Sequence, residues 1–378
     1  RERSPYYVVG KTTDDKRFKF EAEGRNPIDL ELKDFFGKPP KTILEDQIEK
    51  ITYKPLHYKE ENIQEYLEQV LQLEAVACKD WLTNKVDRSV TGKIAKQQCA
   101  GPLQLPLNNV GVVTIDYLGE KGIATSLGHA PISAIINPTK GSQLSIAEAL
   151  TNIIWAPMQD KLAGISLSAN WMWPAKNEGE NARHFEAVKA VSDFAIELGI
   201  NIPTGKDSLS MTQKYEDDVV YSPGTVIISG VGEVTDVKKV IEPVIQNVKD
   251  SKLFYIDLSF EAKKLGGSSF SQILNTLGED APGVSDAKGF KKAFNLVQEF
   301  IEDELILAGH DISAGGLITA LLEMNFANIE GGLSVSLDAL NENDLIKILF
   351  SENPGILIQT AQAEEVERRQ GVTVFSFG

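Results

Sequence analysis

The stretch IAEALTNI, residues 146–153, reads as helix and spaces Glu148 and Asn152 four residues apart, one turn up the same ridge. A carboxylate and an amide oxygen on one ridge suit a hard cation. Mg2+ takes oxygen ligands, and it draws only one or two from protein when phosphates supply the rest. Polar pairs at this spacing also mark ordinary solvated faces, so the residues alone leave both readings open. Outward from this helix, strand-like runs fall at residues 110–115, 165–168 and 225–229, and a second helical pattern covers 182–199. GVGEVTDVKK then reads as the end of a domain. A further unit opens with the buried-strand run LFYIDLS (253–259). It continues through a helix near 289–307, a turn at GHDISAGG and a helix near 315–326, with strands near 333–337, 355–359 and 372–377. Upstream, short strand-like runs occupy 6–9, 18–20 and 29–32. Ile63, Tyr66, Leu67, Val70, Leu71 and Val76 give residues 60–80 an amphipathic helical pattern. Strands and helices alternate, so the class is mixed α and β.

The bulk numbers narrow the function. A chain of 378 residues suits two or three domains. With 38 Lys and Arg against 54 Asp and Glu, the net charge is −16, a poor match for nucleic acid or for anionic lipid. Small phosphate ligands remain compatible, since local backbone N–H groups and metal ions hold those. The two cysteines, Cys78 and Cys99, form no CxxC, so neither a zinc knuckle nor a redox pair is indicated; free thiols of a reducing cytosol are expected. No apolar run reaches about 18 residues, and RERSPYYVVG lacks the apolar core of a signal peptide. A cytoplasmic protein is expected, and both ends read as cut from a longer chain.

Four more stretches carry candidate chemistry, each with a plainer alternative. In VDRSVTGKIAKQQCAGPLQLPLNNVGVV (86–113), Asn108 and Asn109 stand at a strand mouth, either as a turn or as amide groups facing a nucleotide or cation. In IPTGKDSLSM (202–211), Gly205 permits a tight turn, Lys206 can meet a phosphate, and Asp207 with Ser208 can bind a cation or cap a helix. The spacing is not that of a Walker A loop. In LGGSSFSQIL (265–274), Gly266, Gly267 and Ser268 precede a helical pattern, which builds either an anion site or a serine-capped turn. In GHDISAGGLITALLEM (309–324), Asp311 can ligate a cation and Ser313 can bond a phosphate, or the two form a cap cluster; His310 reads as structural. His57, His129 and His184 are isolated in sequence, and no G-x-S-x-G or G-x-C-x-G nucleophile elbow exists.

Taken in order, DRSVTGKIAKQQCAGPLQLPLNNVGVV, IAEALTNI, LSANWM, IPTGKDSLSM, LGGSSFSQIL and HDISAGGL resemble the phosphoribosylformylglycinamidine synthase family in its large single-chain form. The resemblance covers essentially the whole chain. It implies an α+β, aminoimidazole ribonucleotide synthetase-like fold, with an N-terminal domain that forms half a β-barrel and a C-terminal α/β domain. The implied layout is the tail of a first repeat at 1–56, the barrel-forming domain of the second repeat at 57–240 and its C-terminal domain at 241–378. The implied activity is that of an ATP-dependent C–N ligase of purine biosynthesis. Formylglycinamide ribonucleotide, glutamine and ATP give formylglycinamidine ribonucleotide, glutamate, ADP and phosphate. The glutaminase is missing, in keeping with the absent cysteine elbow, and the stretch alone is expected to be inactive.

The resemblance also assigns residues. Metal ligands fall on Asn109, Glu148, Asn152 and Asp311, and nucleotide contacts on Asn108 and Ser313, with Mg2+ and ATP or ADP as the expected ligands. Asn109 departs from the family pattern, which usually has Asp there, so weaker Mg2+ binding is expected. Lys206, Asp207, Gly266, Gly267 and Ser268 are candidates for phosphate or substrate. The expected partners are the glutaminase domain and the first repeat of the same full-length chain, with no nucleic acid and no membrane. The barrel face that meets the first repeat would otherwise stay open, which predicts a homodimer. The rival reading is a non-catalytic pseudo-subunit with a degenerate nucleotide site.

Overall fold

The computed structural model describes residues 3–41, 43–48, 51–83, 92–369 and 374–376. The chain divides into two units, Arg1–Glu45 and Asp46–Gly378. In the first, β1 (Arg17–Ala22) and β2 (Arg25–Glu31) form an antiparallel hairpin, followed by the short helix α1 (Leu32–Phe36). Residues 6–9, expected as a strand, are exposed and form no strand.

The second unit begins with α2 (Ile63–Val70) and α3 (Asp80–Thr83). The helix expected over 60–80 stops at Val70 because the chain tightens. The Leu73 amide bonds the Val70 carbonyl and the Val76 amide bonds the Leu73 carbonyl, and Ala75 and Val76 are left lining a cavity.

Next come β3 (Ile94–Lys96), β4 (Gly111–Thr114), β5 (Gly122–Gly128), α4 (Pro131–Ile136), α5 (Pro138–Ile153), β6 (Ile165–Met172), α6 (Glu180–Leu198), β7 (Asn201–Ser208), the hairpin of β8 (Thr212–Lys214) with β9 (Val219–Tyr221), and β10 (Thr225–Val234). Six of these strands make one sheet in the order β3-β4-β5-β10-β6-β7, antiparallel except for the parallel pair β6–β7. Residues 202–211 are therefore not the tight turn expected from Gly205. They are largely strand β7, with Gly205 opposite Ala169. One sheet face is covered by α5, the other is open. The alternation is visible along β5, where Gly122, Ala124, Ser126 and Gly128 are buried and Ile123, Thr125 and Leu127 are exposed.

The remainder adds β11 (Lys252–Asp257), α7 (Ser269–Ile273), α8 (Ala287–Glu302), β12 (Ala308–Asp311), α9 (Gly316–Phe326), α10 (Leu345–Phe350), β13 (Gly355–Thr360), α11 (Ala363–Arg368) and β14 (Val374–Ser376). Its sheet is antiparallel in the order β12-β13-β11-β14. The turn expected over GHDISAGG starts later than its glycines suggest, since β12 runs through Asp311. Residues 333–337, expected as a strand, form none. Among the described residues no helix is long and apolar enough to cross a membrane.

The largest apolar cluster draws on both sheets' helices. It joins Ile146, Leu150 and Ile153 of α5 to Phe290, Phe294 and Val297 of α8. The buried Gln298 locks this joint: its Nε2 donates to the Ile154 carbonyl at 2.5 Å and its Oε1 accepts from the Met158 amide at 2.7 Å. Both polar ends of a buried amide are thus satisfied at the C-terminus of α5.

The seat of α5 depends on Gly128. A Cβ there would collide with the Ser145 carbonyl oxygen and the Ala149 amide nitrogen, which are backbone and cannot rotate away. Gly128→Ala is expected to lower stability by about 1–3 kcal/mol in denaturant unfolding. Gly332→Ala, with open space around it, should change little.

Candidate functional site

Helix α5 brings Glu148 and Asn152 to the site. Asn137 caps it by accepting the Lys140 amide at 3.1 Å, Pro138 opens it, and Ser126 of β5 donates to the Ala149 carbonyl at 2.7 Å. The Asn152 amide nitrogen donates to the Leu127 carbonyl (3.1 Å), the Glu148 carbonyl (2.9 Å) and Glu148 Oε1 (3.2 Å). Its nitrogen is thereby committed to protein acceptors, which leaves the amide oxygen as the group a cation would use. From the other half of the unit, the turn after β12 delivers Ser313, whose hydroxyl donates to Glu148 Oε1 at 3.0 Å. Asn152 and Ser313 both bond Glu148, and Asp311 acts on the Glu148 carboxyl through its charge, so the four residues form one cluster.

The cluster is short of positive charge. Burial pushes the Glu148 carboxyl up to about 8; the negative charge of Asp311 adds to this, and the bonds from Ser313 and Asn152 only partly oppose it. Asp311 is 2% exposed, and its Oδ2 has no hydrogen-bond partner. Its Oδ1 lies 3.3 Å from His310 Nδ1, an ion-pair contact without hydrogen-bond alignment. His310 Nε2 meets Glu323 Oε2 at 2.8 Å. Burial disfavours charge on His310, but Asp311 and Glu323 outweigh it and hold the imidazole up to about 10, so it is a cation at neutral pH. One imidazolium stands among Glu148, Asp311 and Glu323. Sequence reasoning took His310 as merely structural and passed over Glu323.

Two cavities flank the cluster. One, of about 810 Å3, is lined by Asn108, Asn109, Asn152, Asp311 and Ser313, with the open sheet face as its floor. The other, of about 560 Å3, is lined by Glu148, Ser133, Gly267, Ser269 and Glu352. Ala75, Ser313 and Ala314 border both. Asn108 is tied into the strand mouth: its amide nitrogen donates to the Gln97 carbonyl at 2.7 Å and the Cys99 carbonyl at 3.0 Å. Asn109 differs, with a buried Nδ2 that has no partner.

The remaining candidates lie elsewhere or are already engaged. Lys206 and Asp207 are exposed on β7 and line neither cavity. Ser268 is the N-cap of α7, accepting the Ser271 amide at 3.2 Å and donating to the Leu265 carbonyl at 2.6 Å. Gly267 has φ +71° and lies against the Ser133 backbone, and Gly266 lies against Asp280. The anion that meets this loop is internal. Glu352 Oε1 accepts the Ser269 amide at 2.8 Å and the Gly315 amide at 2.7 Å, so one carboxylate ties both glycine-rich loops together. Glu352 was invisible in the sequence, where SEN (351–353) looks like any polar turn after a helix.

A helix-backed, open six-stranded sheet joined to an α/β half, with a carboxylate–amide cluster between them, defines the aminoimidazole ribonucleotide synthetase-like class. Two family models match: the FGAR-AT PurM_N-like domain over residues 78–233, and the C-terminal domain of AIR synthase related proteins over 252–372. The probable phosphoribosylformylglycinamidine synthase of Caenorhabditis elegans is 40% identical over 382 residues, and the human phosphoribosylformylglycinamidine synthase 36% over 383. These alignments cover 97% and 96% of this chain, which spans only 28% of the length of each relative. The chain belongs to the phosphoribosylformylglycinamidine synthase family. Among solved structures, Thermotoga maritima PurL complexed with FGAR matches at TM-score 0.60 and 14% identity, over 92% of this chain and 51% of that one. The same protein complexed with ADP matches at TM-score 0.53 and 16% identity, over 92% of this chain and 49% of that one. At such identities the likeness speaks for the fold.

The buried charges predict a pH dependence. Glu148 holds its proton more tightly folded (about 8) than unfolded (4.5), so it makes stability fall as pH rises between these values. The stabilising charge of His310 is fully present below about 6.5 and is lost as pH rises towards 10, with the same sign. Without divalent cation, stability should therefore decline from pH 5 to 8, by at most about 1.4 kcal/mol per pH unit from each group. Glu148→Gln should flatten the slope below pH 6.5, measured by denaturant unfolding across that range.

Proposed function

We propose that this chain is part of the synthetase region of a phosphoribosylformylglycinamidine synthase, and that its carboxylate–amide cluster binds a Mg2+–adenine nucleotide. The observation that carries the reading is the buried, unpartnered Oδ2 of the 2%-exposed Asp311, a residue that lines a cavity, together with a Glu148 whose own carboxyl is pushed up to about 8. Two carboxylates and two amides are a fitting donor set for a hard cation. Among the described residues no group of three or more His, Cys, Asp or Glu is placed to hold a metal ion, so the donor set here relies on two amides beside its two carboxylates. Glu148, Asn152, Asp311 and Asn109 would hold the ion, which when bound neutralises phosphate charge. Ser313 would orient the Glu148 carboxylate and border the nucleotide.

On this reading the whole enzyme converts formylglycinamide ribonucleotide, glutamine and ATP to formylglycinamidine ribonucleotide, glutamate, ADP and phosphate. This chain supplies the second repeat together with the end of the first, and does not turn over alone. The domains would divide at 1–56, 57–240 and 241–378. The glutaminase and the first repeat would be partners within the full-length protein. A second reading, a scaffold half whose site has decayed, is favoured by one feature: Asn109 is a neutral amide with an orphaned Nδ2 where the family pattern has Asp.

Calorimetric titration of ADP separates the two. Mg2+-dependent binding that Glu148→Ala weakens ten- to hundredfold is expected, with Asn109→Asp tightening it. No binding in the presence of Mg2+ would leave the scaffold reading. The open sheet face gives an independent expectation. Ile123, Leu127 and Val231 are 40%, 60% and 43% exposed on it. An apolar face of that kind is expected to pair with a second copy, so light scattering should return twice the monomer mass.

A further inference from the structure

Helix α9 carries a carboxylate that the cation reading leaves unused. Glu323 lies towards its C-terminal end and lines the larger cavity. Its Oε2 meets His310 Nε2 at 2.8 Å. The His310 residue is 5% exposed, and its other ring nitrogen, Nδ1, lies 3.3 Å from Asp311 Oδ1. A buried imidazole held at Nε2 is not free to turn, so Nδ1 stays against Oδ1. Asp311 Oδ2 is buried and has no hydrogen-bond partner. The two oxygens of this carboxylate are therefore unequal: one is engaged by the protein and the other is open.

Glu148 is divided in the same way. Its Oε1 accepts the Ser313 hydroxyl at 3.0 Å and the Asn152 amide at 3.2 Å. Among the described residues its Oε2 accepts no hydrogen bond. Two carboxylates, one from α5 and one from β12, thus each offer a single oxygen. Such a set discriminates among hard cations. Mg2+ takes about six oxygens in near-ideal octahedral geometry and keeps water or phosphate in several positions. Ca2+ takes about six to eight at longer range, and often grips a carboxylate through both oxygens. That grip would have to share Asp311 Oδ1 with His310, or Glu148 Oε1 with Ser313 and Asn152.

We propose that the Glu323–His310 pair and the Ser313 hydroxyl make the cluster selective for Mg2+ over Ca2+, by keeping each carboxylate to one ligating oxygen. This deepens the cation reading above and rests on it. Glu323 and His310 are positioning residues that act through Asp311, and Ser313 acts through Glu148. Outer partners of this kind fix how a ligand presents itself to the ion without touching the ion.

The test uses Mn2+ as the probe in the 378-residue chain, with binding read from the loss of the free-ion signal in electron paramagnetic resonance. Mg2+ and Ca2+ are then titrated separately against bound Mn2+, and the ratio of their displacement constants is taken. The unaltered chain should favour Mg2+. Glu323→Ala should shift the ratio towards Ca2+ by about tenfold, and Glu323→Gln, which keeps an oxygen for Nε2, should restore it. Ser313→Ala, on the other carboxylate, should shift it the same way. A merely structural loss weakens both ions together and leaves the ratio alone. A ratio unchanged in Glu323→Ala and Ser313→Ala would overturn the selectivity while leaving the cation site standing. Bound Mn2+ that Ca2+ displaces more readily than Mg2+ in the unaltered chain would overturn it too. No Mn2+ binding by the unaltered chain would overturn the cation reading and the selectivity together.

Discussion

Helix α5 has to be buried on nearly every side and still carry two polar side chains, and much of the molecule is arranged around that constraint. Eleven of its sixteen residues are buried. It packs on β5, β10, α4 and α6, and its C-terminal end is held by Gln298 of α8. The sheet comes close enough only because Gly128 carries no side chain where it crosses the helix backbone. The helix therefore cannot shift without disturbing both halves of the unit, and Glu148 and Asn152 are fixed with it. The cation site proposed for them would need such stiffness, because ligand oxygens must be held in place before the ion binds.

The Ser313–Glu148 hydrogen bond crosses from one half to the other, between residues 165 apart in the chain. Around it, Glu148 and Glu352 are both pushed towards their protonated forms by burial, while His310 is held charged by its acidic neighbours. Isolated buried carboxylates are costly, and proteins relieve them by protonation, by pairing or by a bound cation. Here His310 pairs with Asp311 and Glu323, and Glu352 takes two backbone amides. Glu148 has only a hydroxyl and an amide as partners, and Asp311 keeps one oxygen unpartnered. The electrostatic deficit is thus local to the two carboxylates on either side of Ser313.

The glycine-rich loops show how local chemistry can be right in kind and different in use. LGGSS and SAGG do present backbone N–H groups to an anion, as glycines before a helix suggest. The anion is the chain's own Glu352, which bonds the Ser269 and Gly315 amides at once. Glu352 therefore ties the two loops together, with Ser313 and Ala314 of the second bordering both cavities.

Contiguous residues specify the alternation of strands and helices, the helix carrying Glu148 and Asn152 and the turn carrying Ser313, though not the strand that carries Asp311. Each is encoded in contiguous residues through helical period or glycine placement, so neighbours alone suffice to read it. The tertiary structure alone decided that 202–211 is a strand, because β7 exists by pairing with β6. It alone exposed Glu352, a polar residue in an unremarkable turn until two distant loops close on it. It alone set the charge state of Glu148, whose charged neighbour Asp311 lies far along the chain, and it buried His310 against Asp311 and Glu323 of its own stretch. The β6–β7 pairing, the closing of two loops on Glu352 and the contact of Glu148 with Asp311 are non-local, and no short window of sequence contains both partners.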